Sequence, residues 1–535
     1  MAARKCELLG ELATAPSIAP PDLLLLRDAL SFLRAFPDSA ETQRLADRLT
    51  QHLGELVRHA YERHASAWRL DNSGLPGAVH VFPYSYDVAR RLVRIAPTDV
   101  DLEPDTLADA DALHEALAAL VSTAENPALD DVEIGTRDWI ARCVAGGATS
   151  GLEAVLEVFE SAPVPPALRA ALYESAEVTS NYELAAPASS RLGPRLDLGR
   201  TQFRRKPFAR ESFGLPARIR RELPAALELD PTVAREWLDQ LLLHLLSRDI
   251  EIYPLTHAEE RDVRVFTLGR GYHLLLAGVE PSRRCAFELS SFYVVLSNGV
   301  PIAYGPASPF LGCCEMGINF FEEFRGGEAR YIYAGVMSVL HHAFGVERFF
   351  VSAYGMGKRN EAALATGAFW FYRKIGFSVE NDEVETLARA EEARRLADPS
   401  YRCDRATMRR LSNTSAFLDL SAGRCRRFDS SALALAVTCA RRGRRAGAGK
   451  RELEGLRNVL GLGSLASWTD AERASLEAMA PVLGLLERLP AWNQRDKRTL
   501  VRIIRSKAAH SERDVDRAMR AHPRLEAELR ELAGA

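Results

Sequence analysis

The sequence predicts an α+β protein in which a central mixed sheet is flanked by helical regions at the N- and C-terminal ends, and three observations predict it. Two hairpin signals stand close together: strand-like runs at 263–268 and 272–277 flank Gly269-Arg270-Gly271, and runs at 292–296 and 302–304 flank Ser297-Asn298-Gly299-Val300. An Asn-Gly pair accepts positive φ at both turn positions, so it favours a tight reversal between two strands. From 315 to 375 the order then reads strand (315–321), turn (324–327), helix (328–344), strand (348–353), helix (361–375). On both sides of this stretch, apolar residues recur at helical spacing.

Near the N-terminus, Leu26, Leu30 and Leu33, then Leu45, Leu49, Leu53 and Val57, form two helical stripes. Pro37-Asp38-Ser39 supplies the turn and cap between them. The aromatic segment Val81-Phe82-Pro83-Tyr84-Ser85-Tyr86 reads as a packed loop, favoured over a binding loop, ahead of a helix at 87–95. Acids dominate 99–133, where Leu113, Leu117 and Leu120 mark a helix with a solvated face, and helices follow at 151–161 and 166–177. Residues 1–195 thus read as an all-helical N-terminal region with no fixed repeat.

Residues 196–229 read as a basic linker: Arg204, Arg205, Lys206, Arg210, Arg218 and Arg220 are interleaved with Phe203, Phe208 and Phe213. A solvated linker is favoured there over a phosphate or RNA contact. Asp230-Pro231 opens a helix at 232–247 and with it an α/β segment spanning 230–385. Residues 386–535 read as a helical C-terminal region, with helices at 384–396 and 405–411 and near Glu452, Asp470, Asp496 and Arg513. A second basic cluster comprises Arg441, Arg442, Arg444, Arg445, Lys450 and Arg451.

A chain of 535 residues exceeds what one hydrophobic core serves, so several domains are expected. A net charge of −3 points to no dominant polyanionic or polycationic partner. The eight cysteines lack metal or redox spacing, which suits reduced thiols in the cytoplasm, and the adjacent Cys313 and Cys314 read as buried small side chains. Glu7 and Glu11 break any secretory signal, and no apolar run approaches the ~20 residues of a membrane span. No metal is expected; His341 and His342 are helix neighbours that cannot easily share one. Gly355-x-Gly357 lacks the third glycine of a dinucleotide fingerprint, and the run ending at Lys450 lacks the first glycine of a P-loop.

The turn at 325–329 carries the chemistry. Gly326 and Gly327 let backbone N–H groups approach a phosphate, and the helix that follows offers unpaired donors and a positive dipole end. Glu328 opposes this by placing a carboxylate beside them. Acyl transfer to an amine also needs a base. Glu315 starts the preceding strand, and alternation sets it with Gly317 and Asn319 on one face, so Glu315 is the candidate, with an exposed edge residue as the plainer reading.

The order of elements, the FRGGEA turn and the ending Tyr372-x-Lys374-x-Gly376-Phe377, with Ala368 one turn earlier, resemble the GNAT-type acyl-CoA N-acyltransferase superfamily over residues 287–379. Glu328 and Arg330 stand at the fourth and sixth places from Arg325, where the family has small residues. The resemblance implies a GNAT-like sheet and acetyl-CoA or another acyl-CoA as co-substrate. It implies contacts to that molecule from Arg325, Gly326, Gly327, Ala329 and Asn360. It also implies that Tyr372 protonates the departing thiolate. The expected function is therefore transfer of an acyl group from acyl-CoA to an amine acceptor. Two alternatives stand beside it: a catalytically inactive binding or interaction module, and an aminoacyl-tRNA-dependent transferase contacting RNA through the basic segments near 204 and 441. A nucleic-acid partner is not the favoured reading, and no membrane partner is expected.

Overall fold

The computed structural model describes residues 2–107, 110–131, 133–206, 208, 213–423, 428, 430–443 and 447–534. It divides into two compact units. The first comprises Met1–Pro207, Thr232–Thr256 and Leu296–Pro301, and the second Phe208–Pro231, His257–Val295 and Ile302–Ala535. Arg210, Arg444, Arg445 and Cys425 of the sequence reading lie outside the described residues.

In the first unit the expected helical hairpin is present as Pro20–Ala35 and Ala40–Arg63. Ser39 caps the second helix by accepting the Thr42 N–H at 3.1 Å, which satisfies one of the donors a helix start leaves open. Leu23, Leu30, Leu49, Leu53 and Val57 close one apolar cluster between the two helices.

The region is not all-helical. Strands β1 (Val79–Phe82), β2 (Val100–Leu102) and β3 (Ser180–Glu183) form an antiparallel sheet in the order β1-β3-β2. The strands pair over only three or four residues, too short to show a period of two, and β3 joins β1 from about 100 residues away. Two rows face the same way, His80–Tyr182–Val100 and Phe82–Ser180–Leu102. Helices Tyr86–Ile95, Gly151–Ser161 and Pro166–Ser175 pack with one another, and Gly151–Ser161 packs on β2.

The second unit is organised by a ten-stranded mixed sheet. Its strands are β4 (Leu227–Glu228), β5 (Arg264–Gly269), β6 (Tyr272–Gly278), β7 (Ser291–Ser297), β8 (Val300–Phe310), β9 (Cys313–Met316), β10 (Asn319–Phe320), β11 (Arg348–Val351), β12 (Ser378–Val379) and β13 (Ala416–Asp419). The order is β12-β13-β11-β9-β8-β7-β6-β5-β4, with β10 paired to β8. Asn298 and Gly299 both hold positive φ (49° and 80°) between β7 and β8, as the Asn-Gly signal requires.

Strands β9 and β11 are parallel and joined through the helix Ala329–Phe344. That helix is buried on nearly every side, from Ile332 to Leu340, which is why its sequence reads apolar all round instead of as a stripe.

Three local expectations are corrected. The strand expected at 315–321 is two pieces, β9 and β10, interrupted at Gly317 and Ile318. The helix expected at 361–375 breaks into Glu361–Thr366 and Ala368–Ile375, because Gly367 takes φ +70° between them. After 377 the chain does not simply return to helix: β12 and β13 complete the sheet, and β13 inserts between β11 and β12. The sequence ended the α/β segment at 385, whereas the sheet's last strand reaches Asp419. It also assigned the helix at 232–247 to that segment, whereas Thr232–Thr256 groups with the first unit.

Candidate functional site

Parallel strands β9 and β11 pair only from Arg348 with Cys313 to Phe350 with Glu315. Beyond that point β9 parts from β11 and the chain continues as β10 along β8, with Asn319 opposite Tyr304. The interruption is built into β8. Pro306 has no N–H to offer, so Gly317 donates to the Pro306 carbonyl at 3.5 Å without a return bond. A Cβ on Gly305 would lie 2.0 Å from the Gly317 oxygen and 2.5 Å from the Tyr293 hydroxyl, so only glycine fits there. Tyr293 fills the break by donating its hydroxyl to the Gly317 carbonyl.

Three tyrosines gather on one side of this break. Tyr293 from β7, Tyr333 from the helix Ala329–Phe344 and Tyr372 from the helix Ala368–Ile375 are all buried, and Cys314 lies among them. The Tyr333 ring meets Tyr372 edge-on at 5.8 Å, and the Ile318 backbone amide lies beside the Tyr372 hydroxyl. The Tyr333 and Tyr372 hydroxyls approach each other, but Tyr333 does not reach hydrogen-bond geometry with any group. Burial pushes the Tyr372 hydroxyl up to about 12 against the opposing pull of the Ile318 amide, so it carries its proton throughout the neutral range. Gly376 ends the helix Ala368–Ile375 as its C-cap, with φ 113°.

Glu315 is exposed, as Asn319 is. Its strand neighbours Cys314 and Met316 are buried, so alternation sets the Glu315 side chain on the face opposite Cys314 and hence opposite the three tyrosines. The structure therefore brings Glu315 and Tyr372 to the same break in the sheet, from its two faces.

At the glycine turn, Gly326 (φ +97°) and Gly327 (φ +59°) are exposed and left-handed. A Cβ on Gly326 would meet nothing, whereas one on Gly327 would touch the Phe208 ring at 3.4 Å. The first intrahelical bond runs from the Ile332 N–H to the Glu328 carbonyl, so the N–H groups of Ala329, Arg330 and Tyr331 precede the helical ladder. Arg325 is exposed and pairs with Glu322 at 3.2 Å.

The Glu328 carboxylate does not stand in the turn. It is buried, taking the Tyr272 hydroxyl at 3.0 Å and the Arg270 guanidinium at 2.5 Å. Arg270 lies 4.2 Å and Arg218 4.7 Å over the Tyr331 ring, so two guanidiniums flank the first turn of this helix. Sequence reasoning missed these partners because they come from 50 to 110 residues upstream.

Asn360 is placed as a helix cap: its side chain accepts the Ala363 N–H at 3.0 Å and donates to the Tyr354 carbonyl at 3.4 Å. The capping bonds account for this side chain and direct neither of its polar atoms to the glycine turn. The basic segments are also engaged in the fold: Arg204 lies over the Phe36 ring, Arg220 donates to the Leu420 carbonyl, and Arg441 pairs with Glu452.

Among the described residues, no three His, Cys, Asp or Glu side chains gather to hold a metal ion, and no helix is long and apolar enough to cross a membrane. No family model matches this chain, and neither a curated protein nor a solved structure does.

Proposed function

We propose that the second unit transfers an acyl group from an acyl-CoA thioester to an amine, at the point where β9 and β11 part. The observation that carries this reading is the break itself: two parallel strands separate after Glu315 and Phe350, and a protonated, buried tyrosine hydroxyl borders the gap from one face.

An amine nitrogen arriving from the solvent side attacks the thioester carbonyl carbon, and Glu315 takes its proton. The carbon–sulfur bond of the resulting tetrahedral intermediate then breaks as the carbonyl re-forms, and Tyr372 gives its proton to the departing sulfur. The two proton transfers serve the formation and the collapse of that intermediate. The exposed glycine turn and the open start of the helix Ala329–Phe344 would receive the phosphates of the co-substrate. The turn fits this role because Gly326 is open and Glu328 is turned inward onto Arg270 and Tyr272.

Titration calorimetry with coenzyme A, together with thiol release from acetyl-CoA in the presence of a panel of primary amines, tests the proposal. Binding is expected to survive in Tyr372→Phe while thiol release falls about 100-fold. Absence of both binding and thiol release in the wild-type protein, or an unchanged rate in Tyr372→Phe, overturns it.

The inactive-module reading has one observation in its favour, the burial of Tyr372 to 4% exposure. It requires Glu315→Gln and Tyr372→Phe to leave every activity untouched. The aminoacyl-tRNA reading requires steeply salt-dependent tRNA binding.

A further inference from the structure

The first unit contains a polar interior that acyl transfer does not use. His80 and Tyr182 share one row of the small sheet and Ser180 the next, and all three point to the same face. Tyr84 follows β1, Tyr86 begins the helix Tyr86–Ile95, and Tyr173 comes from the helix Pro166–Ser175. These six side chains are 0–3% exposed, and each keeps a polar atom without a hydrogen-bond partner. The Tyr173 and Ser180 hydroxyls lean toward each other, as Tyr182 does toward Ser189 and Tyr86 toward Arg169, without meeting bonding geometry. His80 Nε2 lies 3.1 Å from Asp249 but out of line for a hydrogen bond.

Each buried, unmatched polar group costs about 1–3 kcal/mol. Six together would be selected against unless something else uses them.

Glu251 indicates what that is. Its carboxylate accepts the Ser85 N–H at 3.0 Å and stands within electrostatic reach of Tyr84, Tyr173 and Glu174. Burial raises its pKa, and no cationic group among the described residues pairs with it. The guanidiniums nearby are already engaged. Arg90 is bound to Glu160 and stacked on Tyr86, Arg169 donates to the Ala162 and Val164 carbonyls, and Arg191 donates to the Ser247 carbonyl. The rings of Tyr86, Tyr173 and Phe159 stand 5.5–6.2 Å apart and form an aromatic wall. Aromatic faces, hydroxyl oxygens and an unmatched carboxylate together favour a cation over a neutral polyol or an anion. Glu251 is only partly buried and Asp249 is 44% exposed, so the carboxylates mark the side open to solvent.

We propose that the first unit binds a small organic cation, a protonated or quaternary amine, between Tyr84, Tyr86, Tyr173 and Glu251. This site stands apart from the acyl-transfer reading, and neither depends on the other.

Titration calorimetry on the full chain with tetramethylammonium, choline and n-butylammonium tests it, with 3,3-dimethyl-1-butanol as the neutral isostere of choline. At least one cation is expected to bind with one-to-one stoichiometry, and the alcohol at least about tenfold more weakly. Glu251→Gln keeps an acceptor for the Ser85 N–H and is expected to weaken cation binding at least about tenfold, with circular dichroism and melting unchanged. Should Glu251→Gln fail to fold, Tyr86→Phe is expected to weaken the same binding. No cation binding up to about 10 mM, equal binding of the alcohol, or wild-type affinity in the folded variant overturns the proposal.

Discussion

Two buried polar regions of this chain handle their hydrogen bonds in opposite ways. At the glycine turn of the second unit, the one carboxylate that threatened to occupy the turn is drawn inward, with Tyr272 on one oxygen and Arg270 on the other. In the first unit, His80, Ser180 and four tyrosines are buried with polar neighbours that do not reach good hydrogen-bond geometry. The first arrangement is what structural burial requires. The second resembles a set of groups awaiting a partner from outside. The completed network serves the architecture, and the incomplete one is where the proposed cation would bind.

The contrast is broken or sharpened by three measurements. The largest effect is expected at Glu328: removing it leaves Arg270 and the Tyr272 hydroxyl without their shared acceptor. Glu328→Ala should therefore lower unfolding stability by about 3 kcal/mol in urea titrations. A loss under about 1 kcal/mol would show that the network contributes little.

The second test uses Asp516, where one carboxylate oxygen holds Arg520 at 2.8 Å and the other has no partner. Burial raises its pKa from 3.8 to about 6 despite Arg520. The protonated form is thus favoured on folding, so this stabilisation is complete below pH 3.8 and is lost as pH rises through about 6. The shift of roughly two units corresponds to about 3 kcal/mol between the two limits. Asp516→Asn should accordingly gain stability relative to the wild type as pH rises from 4.5 to about 7.5. Parallel pH profiles for the two proteins would remove this assignment.

The smallest effect is expected in the first unit. Tyr173→Phe deletes an unmatched hydroxyl and should leave stability unchanged or raise it by up to about 1 kcal/mol. A loss greater than that would mean the hydroxyl is bonded within the fold.

Local signals carried the legible part of the structure. Ser39 as a cap, Asn298-Gly299 as a reversal and Gly376 as a helix end are decided by neighbouring residues, and each appears where its chemistry demands. What was hidden depends on distant partners. The strands at 79–82 and 180–183 and the insertion of β13 beside β11 become strands only when the rest of the chain supplies the other edge. The same holds at the candidate sites. Tyr372 is marked by its motif, but its partnership with Tyr293 and Tyr333 and the inward turn of Glu328 toward Arg270 arise from the sheet order. Tyr84 and Tyr86 stood out in the sequence as aromatics of a packed loop. Their burial emerges only once Tyr173 is folded against Tyr86 and Tyr182 against Tyr84.

The proline and glycine opposite Gly317 and Ile318 have a lasting consequence. Because Pro306 carries no amide hydrogen and Gly305 tolerates no added carbon, the interruption between β9 and β10 is written into the main chain of β8, and the Tyr293 hydroxyl completes it. Variation around this point must then come from neighbouring residues, such as the exposed Tyr354 on the short helix Ala353–Met356, while the interruption itself stays constant.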